Sequence, residues 1–163
     1  MSKVYLLLGS NMGNRCELIS QACDMINERC GTILSRSPLF ESEPWGFKAD
    51  IWFVNQAVEL KTDKDPYLLM LILLNIEREL GRRRNRIKKG YASRTIDIDM
   101  LYFDKLITTT PELILPHPRL HERRFVLEPL CCIAPELVHP VLKMTQQELL
   151  ERCPDKSCVR LLE

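Results

Sequence analysis

Apolar residues fall along this chain in blocks whose period alternates between two and about three and a half, and each change of period marks an element. Residues 4–8 form a short β-prone run that stops at Gly9-Ser10-Asn11-Met12-Gly13, where two glycines and an asparagine permit a tight turn. A first strand is expected to end there. Asn14 and Glu17 have the spacing of a capping box, and Leu18, Ile19, Ala22, Cys23, Ile26 and Cys30 supply a helical stripe as far as Gly31. Residues 32–40 mix β-branched and aromatic side chains with Pro38, which predicts an irregular or edge strand leading into a long loop over residues 41–50. Phe53, Asn55, Ala57 and Glu59 then alternate with Val54, Gln56, Val58 and Leu60, so the first four share one face of a strand. Asp65-Pro66 has the form of a helix start, and Leu69, Ile72, Leu73, Ile76 and Leu80 continue the buried stripe to Gly81. After a polar, basic stretch, residues 95–103 again alternate cleanly, as a strand does.

The order is therefore β-α-β-β-α-β, which predicts an α+β fold of ferredoxin-like type, an antiparallel sheet with two helices on one face. Beyond it, residues 104–163 hold seven of the ten prolines, so a C-terminal extension of short helices and fixed turns is expected rather than a second sheet. Thr145 and Glu148 form a second capping-box pattern that opens a terminal helix. At 163 residues, without repeat or linker, a single domain over residues 1–163 is the expectation.

Composition narrows the function classes. Apolar residues make up 45% and charged residues 28%, a balance that folds rather than stays disordered. The 23 Lys+Arg against 22 Asp+Glu leave a net charge of +1, so any electrostatic work must be local. Seven cysteines without a Cys-x-x-Cys pair fit neither a disulfide framework nor a zinc ribbon, and point to the reducing cytoplasm. Cys16, Cys23 and Cys30 recur at a spacing that suggests one core-facing helix side. The longest apolar run, residues 67–74, is far shorter than the roughly 18 residues of a membrane span, and the N-terminus has no signal-peptide core. No membrane partner is expected.

Local chemistry is concentrated late in the pattern. Asp97 and Asp99 are two apart on a strand and must project from the same face, roughly 6–7 Å apart. Two carboxylates so close repel, and a hard cation such as Mg²⁺ relieves that repulsion; a solvated pair of surface acids is the plainer alternative. Immediately upstream stand Arg82, Arg83, Arg84, Arg86, Lys88, Lys89 and Arg94, seven cations in thirteen residues. Carboxylates for metal beside guanidinium groups for phosphate are the two charge signs that phosphoryl chemistry uses, although such a run alone also suits a solvated loop or a nucleic acid. Glu77 falls on the apolar face of its helix, where burial requires a partner, and Arg82 is a candidate. Asn55 beside Phe53, with Trp45 and Phe47 in the preceding loop, could read a heteroaromatic ring or could simply be a satisfied core amide. His117 between two prolines, with His121, Arg123, Arg124 and Phe125 following, could contact phosphate or cap turns. A P-loop motif is absent, so a nucleotide would be held by other means.

Taken together, Gly9-Ser10-Asn11, Glu43-Pro44-Trp45-Gly46, Phe53-Val54-Asn55, Glu77 to Arg84, Ser93-Arg94-Thr95-Ile96-Asp97-Ile98-Asp99, Pro116-His117-Pro118 and Arg123-Arg124-Phe125 make the chain resemble the 6-hydroxymethyl-7,8-dihydropterin pyrophosphokinase family over nearly its whole length. The resemblance implies a transferase of folate biosynthesis that moves pyrophosphate from ATP to the hydroxymethyl group of the reduced pterin and releases AMP. It implies two Mg²⁺ held by Asp97 and Asp99, with Arg82 and Arg94 joining those acids in catalysis. Asn55 would bind the pterin edge, Phe53 and Phe125 would sandwich its ring, and Ser42, Pro44 and Trp45 would complete the pocket. Arg82, Arg84, Arg94, His117 and Arg123 would contact phosphates, and Glu77 would lie near the nucleotide. A monomer with one activity is expected, since the chain has no room for the aldolase or synthase domains fused to some relatives. The basic loop is expected to order over bound ATP, because its cations repel one another otherwise.

The chain departs from the family at Lys89-Gly90-Tyr91-Ala92-Ser93, where many members have a basic residue followed by Trp-Gly-Pro, and at Phe53 and Leu74, where tyrosine and a polar residue are common. Two other classes share parts of the pattern. An RNA-binding module has the same element order, but its aromatic signature is missing here and acids replace aromatics on the last strand. A metal-dependent nuclease could use the same acid pair, yet it leaves Asn55 and its aromatic neighbours unexplained.

Overall fold

The computed structural model describes residues 1–43, 51–81 and 96–162. Each period-two block becomes a strand and each longer-period block a helix: β1 (Ser2–Ser10), α1 (Arg15–Arg29), β2 (Thr32–Arg36), β3 (Phe40–Ser42), β4 (Phe53–Thr62), α2 (Pro66–Glu79) and β5 (Asp97–Phe103). The C-terminal part adds β6 (Thr108–Thr109), β7 (Ile114–Leu115), a 3-10 turn (Leu120–Glu122), α3 (Arg124–Ile133), α4 (Gln146–Glu151) and β8 (Val159–Leu161). The result is an α+β protein whose main sheet is antiparallel, in the order β5-β1-β4-β3-β8, with β2 also paired to β4.

Strand alternation sorts the side chains into two cores, one on each side of the sheet. Val4, Leu6 and Leu8 of β1 join Val58 and Leu60 of β4 and Ile98 and Met100 of β5 beneath Ile19, Ala22 and Ile26 of α1 and Leu69, Leu73 and Ile76 of α2. On the opposite side Tyr5, Leu7, Ala57 and Leu101 pack against Val126, Leu127 and Leu130 of α3 and Leu149 of α4. Further along the same face, past the apolar residues of this core, lie Gly9, Asn55 and Asp97, and that end is where the candidate chemistry gathers.

Capping follows the sequence pattern closely. Asn14 Oδ1 accepts from the Glu17 amide at 3.2 Å, and Asp65 accepts from the Leu68 amide at 2.9 Å with Pro66 opening α2. Thr145 and Glu148 form the reciprocal box at the start of α4.

Four details differ from expectation. β1 continues through Gly9 to Ser10, so the turn is made later, where Gly13 has φ 65°. The irregular strand is two strands broken at Pro38, which has no N–H; Ser37 closes the gap by donating its amide to Ala57 O at 2.9 Å and accepting from Ala57 N at 2.9 Å. Cys23 and Cys30 are buried but Cys16 is exposed, because a seven-residue repeat drifts about 20° per turn pair around a straight helix and Cys16 lies in the first turn. The proline-rich part contains a small β6–β7 ribbon as well as helices, and β8 returns to the main sheet.

Gly31 follows α1 where the chain passes directly over β4, and a Cβ there would stand 2.1 Å from Lys61 O. Gly31→Ala should therefore destabilise the fold by about 2–3 kcal/mol in urea titration, since backbone rather than a pliable side chain must yield. A loss below about 0.5 kcal/mol, the range of ordinary surface substitutions, would show that the crossing is not tight.

Candidate active site

That end of the sheet is built by strand register. Gly9 stands opposite Asn55 on β4 and opposite Asp97 on β5, while Leu7, one pleat further in, stands opposite Ala57 and Asp99. Asn55 and Asp97 are thus two strand spacings apart, about 10 Å, across a glycine floor. A Cβ on Gly9 would meet Asn55 Oδ1 at 2.8 Å and Phe53 at 3.8 Å, so the missing side chain makes room for the amide. Asn55 is buried, and its Nδ2 donates to Ser42 Oγ at 2.7 Å across the β3–β4 pairing. That bond fixes which way the amide faces.

Asp97 and Asp99 are partly exposed and alternate with buried Ile98 and Met100, as the strand period requires. Glu77 explains itself here. It is buried on α2, and its Oε2 accepts from the Ile98 amide at 2.6 Å. Among the described residues β5 is the edge of the sheet and that amide has no strand partner there, and a buried unsatisfied donor would cost about 1–3 kcal/mol. The acid therefore clasps the strand between the two aspartates from behind. Arg82, its expected partner, lies outside the described residues, as do Pro44, Trp45, Arg84, Arg94 and the basic loop as a whole.

His117 is tied to the same strand, donating its amide to Leu101 O at 3.0 Å, and its Nδ1 accepts from the Arg119 amide at 3.3 Å. The neutral ring consequently carries its proton on Nε2. Burial, then the positive charge of Arg123, lowers its pKa to about 4, against an opposing pull from Asp97. His117, Arg123 and Asp97 are thus electrostatic neighbours. Arg123 is itself buried at the end of the 3-10 turn, with its guanidinium carbon 5.7 Å from the centre of the Phe125 ring. Phe125 is half-buried at the margin of the second core, in the first turn of α3.

Ser42, Phe53, Asn55, Asp97, Asp99, His117, Arg123 and Phe125 are thus gathered at one end of one sheet face, with Glu77 behind it. Among the described residues no group of three or more His, Cys, Asp or Glu side chains forms a metal cluster. Two carboxylates on one face nevertheless suit a hard cation that takes its other ligands from phosphate oxygens and water. Sequence reasoning missed the steric role of Gly9, and also missed Glu41, Arg15 and Arg160, which meet only through long-range pairing. For Gly9 a signal existed: a glycine inside a strand pattern often marks close approach of another group.

A family model described as 7,8-dihydro-6-hydroxymethylpterin-pyrophosphokinase (HPPK) matches residues 5–135. The chain is 43% identical to a 2-amino-4-hydroxy-6-hydroxymethyldihydropteridine pyrophosphokinase of Porphyromonas gingivalis over 141 residues, covering 86% of this chain and 95% of that one. It is 38% identical to the Bacillus subtilis protein of the same name, covering 82% of this chain and 78% of that one. It also matches the folic acid synthesis protein fol1 of Pneumocystis carinii at 40% identity, covering 93% of this chain but only 20% of that longer protein. A solved Plasmodium falciparum HPPK-DHPS shares the fold with a TM-score of 0.75 at 18% identity, over 93% of this chain and 42% of that one. With the profile spanning most of its length and bacterial relatives of similar size, the chain belongs to the 7,8-dihydro-6-hydroxymethylpterin-pyrophosphokinase family.

Proposed function

We propose that the chain transfers the terminal pyrophosphoryl group of ATP to the hydroxymethyl group of 6-hydroxymethyl-7,8-dihydropterin and releases AMP. The observation that carries this reading is the shared row Asn55–Gly9–Asp97, which sets a ring-reading amide and a cation-binding acid on one floor about 10 Å apart. In it Asn55, oriented by Ser42, hydrogen-bonds the pterin edge, and Phe53 and Phe125 stack on the ring, with Pro44 and Trp45 closing the pocket. The pterin hydroxyl oxygen bonds to the β-phosphorus and gives up its proton to solvent, as the bond from that phosphorus to the bridging α–β oxygen breaks and AMP leaves with that oxygen. Positioning and charge neutralisation supply most of the catalysis in such transfers. Arg82, Arg84, Arg94 and Arg123 take the charge of the triphosphate, and His117 donates from Nε2.

Two Mg²⁺ ions held by Asp97 and Asp99 would neutralise the phosphate oxygens when nucleotide is bound. Glu77 acts on the nucleotide side through the strand that it clasps. The order β5-β1-β4 with β2 and β3 beyond supports a ferredoxin-like βαββαβ arrangement with a C-terminal extension, in one domain over residues 1–163. We also read the protein as a cytoplasmic monomer; among the described residues no helix is long and apolar enough to cross a membrane. The RNA-binding alternative gains nothing from the fold, because the partly exposed side chains at the start of β5 are Asp97 and Asp99.

The decisive assay mixes ATP, Mg²⁺ and the reduced hydroxymethylpterin and follows AMP. AMP and pterin diphosphate should appear one for one; AMP without pterin dependence, or cleavage of RNA, would refute the reading. Asp97→Ala should lower kcat by about a thousandfold with an unchanged circular dichroism spectrum, the size expected when an electrostatic clamp on a transferring phosphoryl group is removed. Activity within tenfold of the parent would move the metal site elsewhere. Gly9→Ala forces Asn55 off Ser42, so pterin affinity should fall about tenfold while ATP affinity holds, for the loss of roughly one hydrogen bond to a ring. Equal losses for both ligands, or none, would contradict that assignment.

The histidine supplies a pH test. Its folded pKa of about 4 lies below the ordinary 6.5, so between those values the unfolded chain binds a proton that the native ring refuses. This contribution to stability is complete above about pH 6.5 and diminishes as pH falls toward 4. Proton–carbon NMR should find the ring neutral at pH 6 without ligand, and binding of a triphosphate should raise its pKa. A free-protein midpoint near 6.5 would show that burial does not govern this residue.

A further inference from the structure

The tail beyond the family match at residue 135 returns to the sheet, and it returns beside the ring-reading wall. β8 pairs with β3 in the register Phe40–Leu161, Glu41–Arg160 and Ser42–Val159, so its partner strand is the one whose Ser42 orients Asn55. Glu41, next to Ser42, is buried, and its carboxylate is held from two directions. Arg15 Nη1 donates to Oε2 at 2.8 Å, and Arg160 donates to Oε1 from Nη2 at 2.6 Å and from Nε at 3.1 Å. The same two arginines hold Trp52, the residue before Phe53: Arg15 donates to its carbonyl at 2.7 Å, and the Arg160 guanidinium lies 4.7 Å from the centre of its ring. Glu43 completes the seam, donating its amide to Cys158 O at 3.3 Å and accepting from the Cys158 amide through its side chain at 2.6 Å.

One exposed cation on the last strand is therefore connected to both residues that flank the pterin-reading pair. An exposed ion pair ordinarily contributes little to stability, and the Arg160 side chain is 62% exposed. Its contacts nevertheless converge on a buried carboxylate and an aromatic ring, and those in turn border Ser42 and Phe53. We propose that Arg160 is a positioning residue for the pterin substrate, setting Ser42 and Phe53 through Glu41 and Trp52. This inference rests on the pterin reading of Asn55 given above.

The test is steady-state kinetics and calorimetry on the full chain, with ATP and pterin varied separately. Arg160→Ala should raise the pterin KM by about five- to tenfold, as expected for a small misplacement of a binding wall, while kcat and the ATP KM stay within about twofold. Arg160→Lys, which keeps the charge but loses the planar fork and stacking, should fall between the parent and Arg160→Ala. Adding Arg160→Ala to Glu41→Ala should cause a smaller further loss than Arg160→Ala causes in the parent, because the path through that carboxylate is already gone and only the Trp52 contact remains. The melting temperature of Arg160→Ala should drop by no more than about 4 °C, in keeping with an exposed pair.

An unchanged pterin KM in Arg160→Ala, or equal rises in both KM values with a fallen kcat, would overturn the assignment. Asn55→Ala separates the two layers of the argument. If it loses pterin binding while Arg160→Ala does not, only the positioning role fails; if Asn55→Ala keeps pterin binding, the site reading fails and this role falls with it.

Discussion

The pairing register of three antiparallel strands is the constraint on which everything else depends. Gly9 of β1 faces Asn55 on one side and Asp97 on the other, and a slip of one residue in either pairing would turn the amide or the acids into the core beneath α1 and α2. Such a slip would also expose Leu6, Leu8, Ile98 and Met100, so burial of that core enforces the register. At about 25 cal/mol per Å² of apolar surface, the penalty for exposing several such side chains far exceeds the contribution of any single polar contact in the site. The site is polar because the opposite face is not.

Two clasps then refine what the register sets roughly. Behind β5, Glu77 satisfies the Ile98 amide and so holds the segment between Asp97 and Asp99, on the edge strand of the sheet among the described residues. Beside β4, Ser42 orients Asn55, and the neighbouring Glu41 is held by arginines from opposite ends of the chain. Those guanidinium groups keep the Glu41 carboxyl below the usual carboxylate range, so the clasp is intact at neutral pH and weakens only in acid. On the far side α3 presents Arg123 and Phe125 at its start, where Asp155 Oδ2 accepts from the Arg124 amide at 3.0 Å. The tail thus supports both sides of the candidate site.

Much of this was legible in the chain because it is written at short range. Alternation placed Phe53 and Asn55 on one face and Asp97 and Asp99 on one face, and both readings hold in the structure. Asp65-Pro66 and the Thr145–Glu148 pair marked helix starts because caps are local. What the pattern could not show was pairing at a distance. Gly9 read as a turn glycine, since a glycine closing an apolar run can mark a close approach but does not name the group that makes it, and Asn55 arrives only through pairing with β4. Glu77 was visible as an acid on an apolar stripe, but its partner is a backbone amide, which no side-chain pattern displays. The tail read as short helices and turns without a strand because β8 is only three residues long and acquires strand character from β3.

The most direct test of the account is a crystal structure with Mn²⁺, a non-hydrolysable ATP analogue and the reduced hydroxymethylpterin, with the metal located by anomalous scattering. The account predicts two peaks about 2.1 Å from carboxylate oxygens of Asp97 and Asp99, the triphosphate bridging them, and the pterin edge hydrogen-bonded to Asn55 across Gly9. Metal bound away from both aspartates, or a pterin that does not touch Asn55, would contradict it.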